Sequence, residues 1–437
     1  MDEIRIVGLD GEEIIVSPVA ECAPMEEKNY FLNPKYCREL REVINSSPIF
    51  SHDSKYLSKY NLCCAVMDRL DTCVDKLNEM AEYPSTEEDL LVFMMFACMV
   101  TDAVQEILIE LNEINKKDLR NSFGDNYKYF KDVYMKSPIY NKDVECPTDD
   151  SFFEYIRSLM FAHPFETSRA KFLKNGEKQY SPWVIVNSVI SGFYEEKDLI
   201  GVRIYTNQSE DIIDLRFPFS TLKNYIGSRY ERIKLSTDWA RKEIDNTEEE
   251  WKRVKVNREG TPVDVLKSIY DILSTRYADN STIQEAIESL DCEITREENL
   301  EIVDKFRHKI VEKLPVICDS VDSLDNETLE NTCWEILDVR PPKMHSMANY
   351  QLEKIFCYLN EDDEPATYGS NADWGLKQAE YFSEEFAKKW VVIKPYEMSF
   401  REIKLLVRVA CFFENQEQDT EKKPSKKAGK RKSKNKK

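Results

Sequence analysis

The sequence STEEDLLVFMMFACMVTDAVQEILIELNEIN, residues 85–115, decides the fold class. Its hydrophobic residues cover most of the circumference of a helix, which indicates burial on several sides. Ser85 and Glu88 have the spacing of a capping box and predict where the helix begins. The longest uninterrupted apolar run, residues 90–100, is well short of the roughly 20 residues that span a bilayer. We therefore predict a buried core helix and no membrane insertion.

Helical patterns also dominate the rest of the chain. Apolar residues recur at helical spacing through residues 60–80. A second capping box, Ser151 with Glu154, predicts a helix that Pro164 ends, because a proline ring clashes with a continuing helical turn. Further capping signals in the second half of the chain predict helix starts at Thr261-Pro262, Ser281, Thr295, Asp325, Asn371 and Ser399.

Two stretches have strand patterns instead. Residues 3–17 contain two β-rich runs around an Asp10-Gly11 turn, which predicts a hairpin. Between residues 180 and 219, runs such as LIGVRIYT (199–206) are separated by turn residues, which predicts a small antiparallel β insert. The expected fold is mainly α: a helical bundle with an N-terminal β-hairpin and a small antiparallel β insert, followed by a second helical domain.

These patterns divide the chain into five expected segments. They are an N-terminal hairpin and extended segment (1–55), a helical bundle (56–178), the β insert (179–219), a helical C-terminal domain (220–420) and a disordered Lys-rich tail (421–437). The tail is expected to stay disordered because it has no apolar side chain larger than alanine with which to offset chain entropy.

Charge is distributed unevenly along the chain. Of its 61 Lys and Arg residues, ten lie in residues 422–437, which contain no acid, so the rest holds 51 bases against all 81 acids. An acidic body repels nucleic acid except at local basic patches, whereas clustered lysines attract phosphates without reading sequence. The tail residues Lys426, Lys427, Lys430, Arg431 and Lys432 are therefore candidate nucleic-acid ligands.

Other roles for the tail remain open. It is equally suited to docking on the acidic body of its own chain and to a solubilising or self-associating role, and a lysine run also suits ribosome contact, a membrane surface or, in a nucleated cell, nuclear import.

The twelve cysteines predict neither disulfides nor a metal site. No export signal opens the chain, so we expect a cytoplasmic protein with reduced thiols. No CxxC pair occurs, and many cysteines occupy apolar helical positions, which is typical of core thiols. The common nucleotide-binding, metalloprotease and hydrolase motifs are absent, and we expect no cofactor.

One pair of residues could carry chemistry. Arg157 and His163 lie six positions apart near the predicted helix end, and Arg169, Lys171, Lys174 and Lys178 follow them. RNA cleavage by a 2′-hydroxyl needs a base of near-neutral pKa and a cation for the phosphorane charge, which His and Arg can supply. A second Arg-His match, Arg340 with His345, lies in a proline-broken loop and is most easily read as accidental.

The Arg157-x5-His163 pattern after two long helices resembles the HEPN family. The resemblance implies a helical bundle that acts as a metal-independent, dimeric endoribonuclease of defence or toxin type. By this resemblance Arg157 would bind the scissile phosphate and His163 would assist proton transfer. Six helical residues separate two side chains by roughly 9 Å along the axis. A shared phosphate site would therefore need the long Arg157 side chain to bend back, a helix that breaks before His163, or a partner copy of the chain, so dimerisation is part of the hypothesis.

Alternative interpretations stand beside it. The basic residues could bind another phosphate group or a nucleotide without cleaving RNA. Otherwise Arg157 would make a salt bridge or a helix contact, His163 would favour its helix C-terminus by charge, and the lysines would be solvated loop residues. The protein would then be a non-enzymatic acidic helical interaction protein whose polybasic tail tethers it to nucleic acid or another anionic partner. The sequence identifies no protein partner.

Overall fold

A computed structural model describes most of the chain in two compact units, Met1–Glu243 and Ile244–Lys437. The described residues are 4–7, 13–16, 30–115, 124–167, 172–173, 176–186, 198–337, 339, 347–360 and 369–421. The architecture is mainly helical with a hairpin and one small antiparallel sheet, so the predicted fold class is confirmed. The expected tail lies outside the described residues, apart from Glu421, and so does the Asp10-Gly11 turn.

The first unit contains two short N-terminal strands, eight α-helices, one π-helical turn and four further strands within the described residues. They are β1 (Ile4–Val7), β2 (Glu13–Val16), α1 (Lys35–Asn45), α2 (Ile49–His52), α3 (Ser54–Glu79), α4 (Glu87–Glu110), α5 (Lys131–Lys136), α6 (Asp149–Arg157), the π-turn (Ser158–Ala162), β3 (Gln179–Tyr180), β4 (Val184–Val186), β5 (Leu199–Thr206), β6 (Ile213–Pro218), α7 (Phe219–Glu231) and α8 (Ile233–Arg253), whose last residues belong to the second unit.

Helix α4 forms the centre of the first unit. It packs against α3, α7 and β4, which is why its apolar residues surround the helix instead of forming one stripe. Its buried side chains include Leu90, Phe93, Met94, Ala97, Val104 and Leu108. In the described part of the chain, α4 alone is long and apolar enough to cross a membrane; buried core helices of soluble proteins pass the same test, and 56% of its most apolar stretch is buried.

Two helix starts in this unit differ from the predicted ones. The capping box of α4 is Thr86 with Asp89, one residue beyond the predicted Ser85 with Glu88, because Asp89 accepts from the backbone N–H groups of both Ser85 and Thr86. Helix α6 begins at Asp149, since the Thr148 hydroxyl accepts from the Ser151 N–H. The predicted box of Ser151 with Glu154 is therefore wrong.

Strand β5 organises the sheet. It pairs antiparallel with β6 along one edge and, on its other edge, with β4 through Ile200–Val202 and with β3 through Tyr205 and Thr206. Gly201 lies in the middle of this strand, between Ile185 and Arg216 on its two neighbours. The predicted β insert is thus confirmed as a meander whose longest strand is enclosed on both sides.

The second unit is helical throughout its described residues. Its elements are α9 (Pro262–Thr275), α10 (Ser281–Asp291), α11 (Glu297–Ser323), α12 (Asn326–Ile336), α13 (Ala348–Tyr358), α14 (Asn371–Glu385), a 3₁₀ turn (Ala387–Lys389) and α15 (Phe400–Glu421). One apolar core connects these helices, with Ile269, Phe306, Ile355, Phe382 and Leu406 among its buried members.

Local capping chemistry predicts most, but not all, of these helix starts. Thr261 caps α9 with Asp264, and Asp325 caps α12, as predicted. The predicted start at Thr295 is wrong: α11 begins at Glu297, and the Thr295 hydroxyl instead donates to the buried carboxylate of Glu402. This contact joins residues far apart in the chain, so no local pattern could indicate it.

Candidate functional site

Arg157 lies at the last position of α6 and is surrounded by acids. Its Nη1 is 3.3 Å from Oε1 of Glu154, one helical turn earlier, and 3.6 Å from Oδ2 of Asp102 on α4. The side chain is 31% exposed. Burial acts to lower the pKa of Arg157, but the neighbouring acids outweigh it and hold the pKa above its usual value. Two carboxylates therefore compete with any phosphate for this guanidinium.

His163 lies beyond a π-helical turn. Pro164 cannot continue a helix and restricts the residue before it, so the chain leaves the helix here. The His163 N–H donates to the Ser158 carbonyl oxygen at 2.8 Å, five residues back, and the Thr167 hydroxyl donates to the His163 carbonyl oxygen at 3.0 Å. The imidazole is exposed.

The turn is anchored to the β insert. Thr167 pairs through its backbone with Gln179 of β3, and its hydroxyl bonds to that of Ser158 at 2.9 Å. Arg157 and His163 thus have separate surroundings, and we find no hydrogen bond between them within the described chain. The structure places the two candidate residues at opposite ends of one turn, with both side chains at least partly accessible.

The other predicted ligands add little positive charge near Arg157 and His163, as far as the structure describes them. Lys178 places its Nζ 2.7 Å from Oε1 of Glu166 on the neighbouring loop. The remaining candidates of this patch, Arg169, Lys171 and Lys174, lie outside the described residues, and so do Lys426, Lys427, Lys430, Arg431 and Lys432 of the tail. The two basic candidates that the structure does describe, Arg157 and Lys178, both have acidic partners.

The first unit contains a buried ion-pair network that was not predicted from the sequence. Arg229 of α7 donates through Nε to Asp150 at 2.7 Å and through Nη1 to Asp125 at 2.9 Å. Arg232 reaches the other oxygen of Asp125 at 2.8 Å, and the Tyr225 hydroxyl donates to Asp150 at 2.9 Å. We name these five residues the arginine network.

The arginine network ties three parts of the chain together. Arg229 is only 3% exposed, and its Nη2 is buried without a hydrogen-bond partner among the described residues. Burial, followed by repulsion from Arg229, lowers the pKa of Arg232, whereas burial raises that of Tyr225. Because its two carboxylates are matched by two guanidinium groups, the network offers no unbalanced charge for a ligand, and loss of one partner would leave a buried charge unpaired.

One signal could have indicated this network. Leu222, Tyr225, Ile226, Arg229 and Tyr230 follow the apolar spacing of one helix face, so Arg229 occupies a core position. A charged residue at such a position predicts a buried acidic partner. The partners themselves could not be predicted, because Asp150 and Asp125 lie 79 and 104 residues before Arg229 in the chain, where no local pattern connects them to it.

The cysteines fit core packing better than reactivity. The eleven described cysteines are all free, and eight of them are buried. Burial raises the pKa of Cys37 and Cys63 to about 11 and that of Cys98 to about 12, so these thiols stay protonated at neutral pH. Within the described residues, no group of three or more His, Cys, Asp or Glu side chains could hold a metal ion.

The comparisons add no relative from which a role could be carried over, so the HEPN resemblance stays a prediction. No family model, no curated protein and no solved structure matches this chain.

Proposed function

We propose that this protein is a non-enzymatic interaction protein, in which an acidic helical body binds other proteins and residues 422–437 hold RNA or another anionic polymer. The surroundings of Arg157 carry this proposal. Asp102 and Glu154 share its guanidinium, so a scissile phosphate would have to approach two carboxylates. The densest positive charge in the sequence is then the run of ten bases at its end.

The chemistry of this binding is electrostatic. Each lysine that neutralises a phosphate releases condensed counterions, and affinity falls steeply as salt is added. Binding of this kind reads no base sequence and requires no folded pocket. The rest of the chain repels a polyanion, because it contains 81 acids and only 51 bases outside residues 422–437.

Deleting residues 422–437 tests the proposal. We expect the full chain to bind a single-stranded RNA oligonucleotide at low salt, and the shortened chain to bind it at least ~100-fold more weakly, because the main phosphate contacts are gone. Arg157→Ala in the full chain is the matched control and should leave both affinity and salt slope unchanged. Equal RNA affinity of the full and shortened chains, measured by fluorescence anisotropy across a salt series, contradicts the proposal.

A second candidate function is the metal-independent endoribonuclease of HEPN type, acting as a homodimer. The exposed His163 at the end of a π-turn favours it, since such turns are frequent at functional sites. In that mechanism His163 moves the proton of the 2′-hydroxyl, and Arg157 leaves its carboxylates to stabilise the phosphorane. A partner copy would complete the site, because this chain gives the two residues separate surroundings.

Cleavage of RNA in the presence of EDTA distinguishes this candidate from the first. If the protein is a nuclease, His163→Ala should lower the cleavage rate by about 100-fold or more, the usual contribution of a general acid or base. His308→Ala, which removes an exposed histidine of α11, is the matched control and should cut normally. Equal cutting by wild type and both variants would exclude His163 from catalysis and remove the candidate.

A further inference from the structure

An exposed aromatic surface covers part of helices α13 and α14 in the second unit. Trp374 and Tyr381 of α14 are 42% and 48% exposed and lie seven residues, or two turns, apart on one side of the helix. Tyr350 of α13 lies beside them, and its hydroxyl accepts a hydrogen bond from Nε1 of Trp374 at 3.3 Å. Tyr396 is 58% exposed. We name these four residues the aromatic face.

Acidic side chains border the aromatic face. Partial burial, together with the nearby carboxylates of Asp373 and Glu380 on α14, raises the pKa of the Tyr396 hydroxyl. Glu380 and Glu384 are exposed on α14. Lys377 bonds to Asp373 at 2.8 Å, so its charge is balanced within the helix. The border is therefore negative, and it disfavours a phosphate polymer.

Aromatic rings with a negative border attract cations. The face of a tyrosine or tryptophan ring carries negative potential and binds an ammonium or guanidinium group. This chain already provides an example at the edge of the aromatic face, where Nζ of Lys354 lies 5.4 Å from the centre of the Tyr350 ring and 5.2 Å from that of Tyr358. The ligand class that fits the aromatic face is a segment rich in lysine.

The chain contains such a segment within reach of the aromatic face. Residues 422–437 hold ten bases and no acid, and they follow α15 directly. Near the end of α15, Glu414 bonds to Nζ of Lys389 at 3.1 Å and to Nε1 of Trp390 at 3.0 Å, and both partners follow closely on the end of α14. Sixteen residues span up to roughly 55 Å. Helix α14 is only about 22 Å long, so the segment can reach its exposed side.

We propose that residues 422–437 bind in cis to the aromatic face, with lysines over the rings of Trp374 and Tyr381 and beside the carboxylates of Glu380 and Glu384. A polyanion that takes up these lysines frees the aromatic face for another cationic partner. This last step rests on the proposed function, whereas binding of the segment to the aromatic face does not.

Trypsin cleavage of the full chain tests binding in cis. A protease cuts a bound segment in proportion to the fraction that is released. We expect the double variant Trp374→Ala/Tyr381→Ala to lose residues 422–437 about tenfold faster than wild type at low salt, as measured by intact mass, since two cation–π contacts are removed. Trp334→Ala, which removes an exposed tryptophan of α12 outside the aromatic face, is the matched control and should behave as wild type.

A charge-removal variant guards against loss of folding and adds no trypsin site. Glu380→Gln/Glu384→Gln changes two exposed side chains and should also speed cleavage, while 0.5 M NaCl should remove the differences that come from charge. Equal cleavage of wild type and both double variants overturns the proposal. Protection that depends on protein concentration overturns it as well, because the segment would then bind a second copy.

RNA binding separates this proposal from the proposed function. If the segment is protected but the full chain binds no RNA, the proposed function fails and binding in cis stands. If the Trp374→Ala/Tyr381→Ala variant loses RNA affinity, the aromatic face binds bases directly and the cis proposal falls. Tighter RNA binding by this variant is the expected result, because it removes a competitor for the lysines.

Discussion

Replacing Arg229 by alanine is expected to destabilise the first unit by about 3–5 kcal/mol, the usual cost of breaking a buried ion pair. The change leaves Asp150 and Asp125 without the guanidinium that binds both of them in a nearly solvent-free position. Arg232 would remain as a partner of Asp125, whereas Asp150 would keep only the Tyr225 hydroxyl among the members of the arginine network. Urea denaturation followed by circular dichroism measures the loss.

Arg157→Ala is the matched control for this experiment. Arg157 also pairs with two carboxylates, but its side chain and those of both partners are partly exposed, and exposed pairs contribute about 0–1 kcal/mol. If the two variants unfold at the same urea concentration, the arginine network does not hold the unit together. The two units can unfold in separate transitions. Arg229→Ala should shift the transition of the first unit and leave that of the second unit unchanged.

Gly201→Ala is expected to cost about 3 kcal/mol or more, because a methyl group has no room within the sheet. An added Cβ would overlap the backbone carbonyl oxygen of Leu215 on β6, and it would lie 3.0 Å from the Cα of Arg216. Those atoms belong to a paired strand and cannot move without breaking the pairing of β5 with β6. Thermal unfolding of the variant should show the loss.

A second glycine provides a control of opposite sign. Gly227 lies within α7, and a Cβ added there would meet no atom within 4 Å. Alanine is the better helix former, so Gly227→Ala should stabilise the protein by roughly 0.5–1 kcal/mol. If Gly201→Ala also leaves the unfolding temperature unchanged or raises it, the packing of β5 against β6 described above is incorrect.

The sequence predicted the features of the fold that depend on neighbouring residues. The side chains of Thr261 and Asp325 cap backbone groups three residues away, so their patterns survive without tertiary information. At Thr295 and Ser151 the same pattern fails because the polar groups have other partners, Glu402 in one case and the Thr148 hydroxyl in the other. The π-turn was not predicted either.

The candidate site likewise combines one contact that local spacing predicts with one that depends on tertiary structure. Glu154 lies one turn before Arg157, so that pairing could have been expected from helical spacing. Asp102 comes from another helix, and only the folded chain brings its carboxylate to the same guanidinium. The aromatic face depends equally on tertiary structure, because Tyr350 and Trp374 meet through the packing of α13 on α14.

Among the eleven described thiols, one is much better placed than the others for labelling. Alkylating dyes react with thiolates that they can reach, and eight of the eleven described cysteines are enclosed in the core. Cys357 is the exposed one among those eleven, and it lies on α13 two turns after Tyr350. A fluorophore attached there would sit on the same side of that helix as an edge of the aromatic face, where its emission would respond to whatever covers the rings.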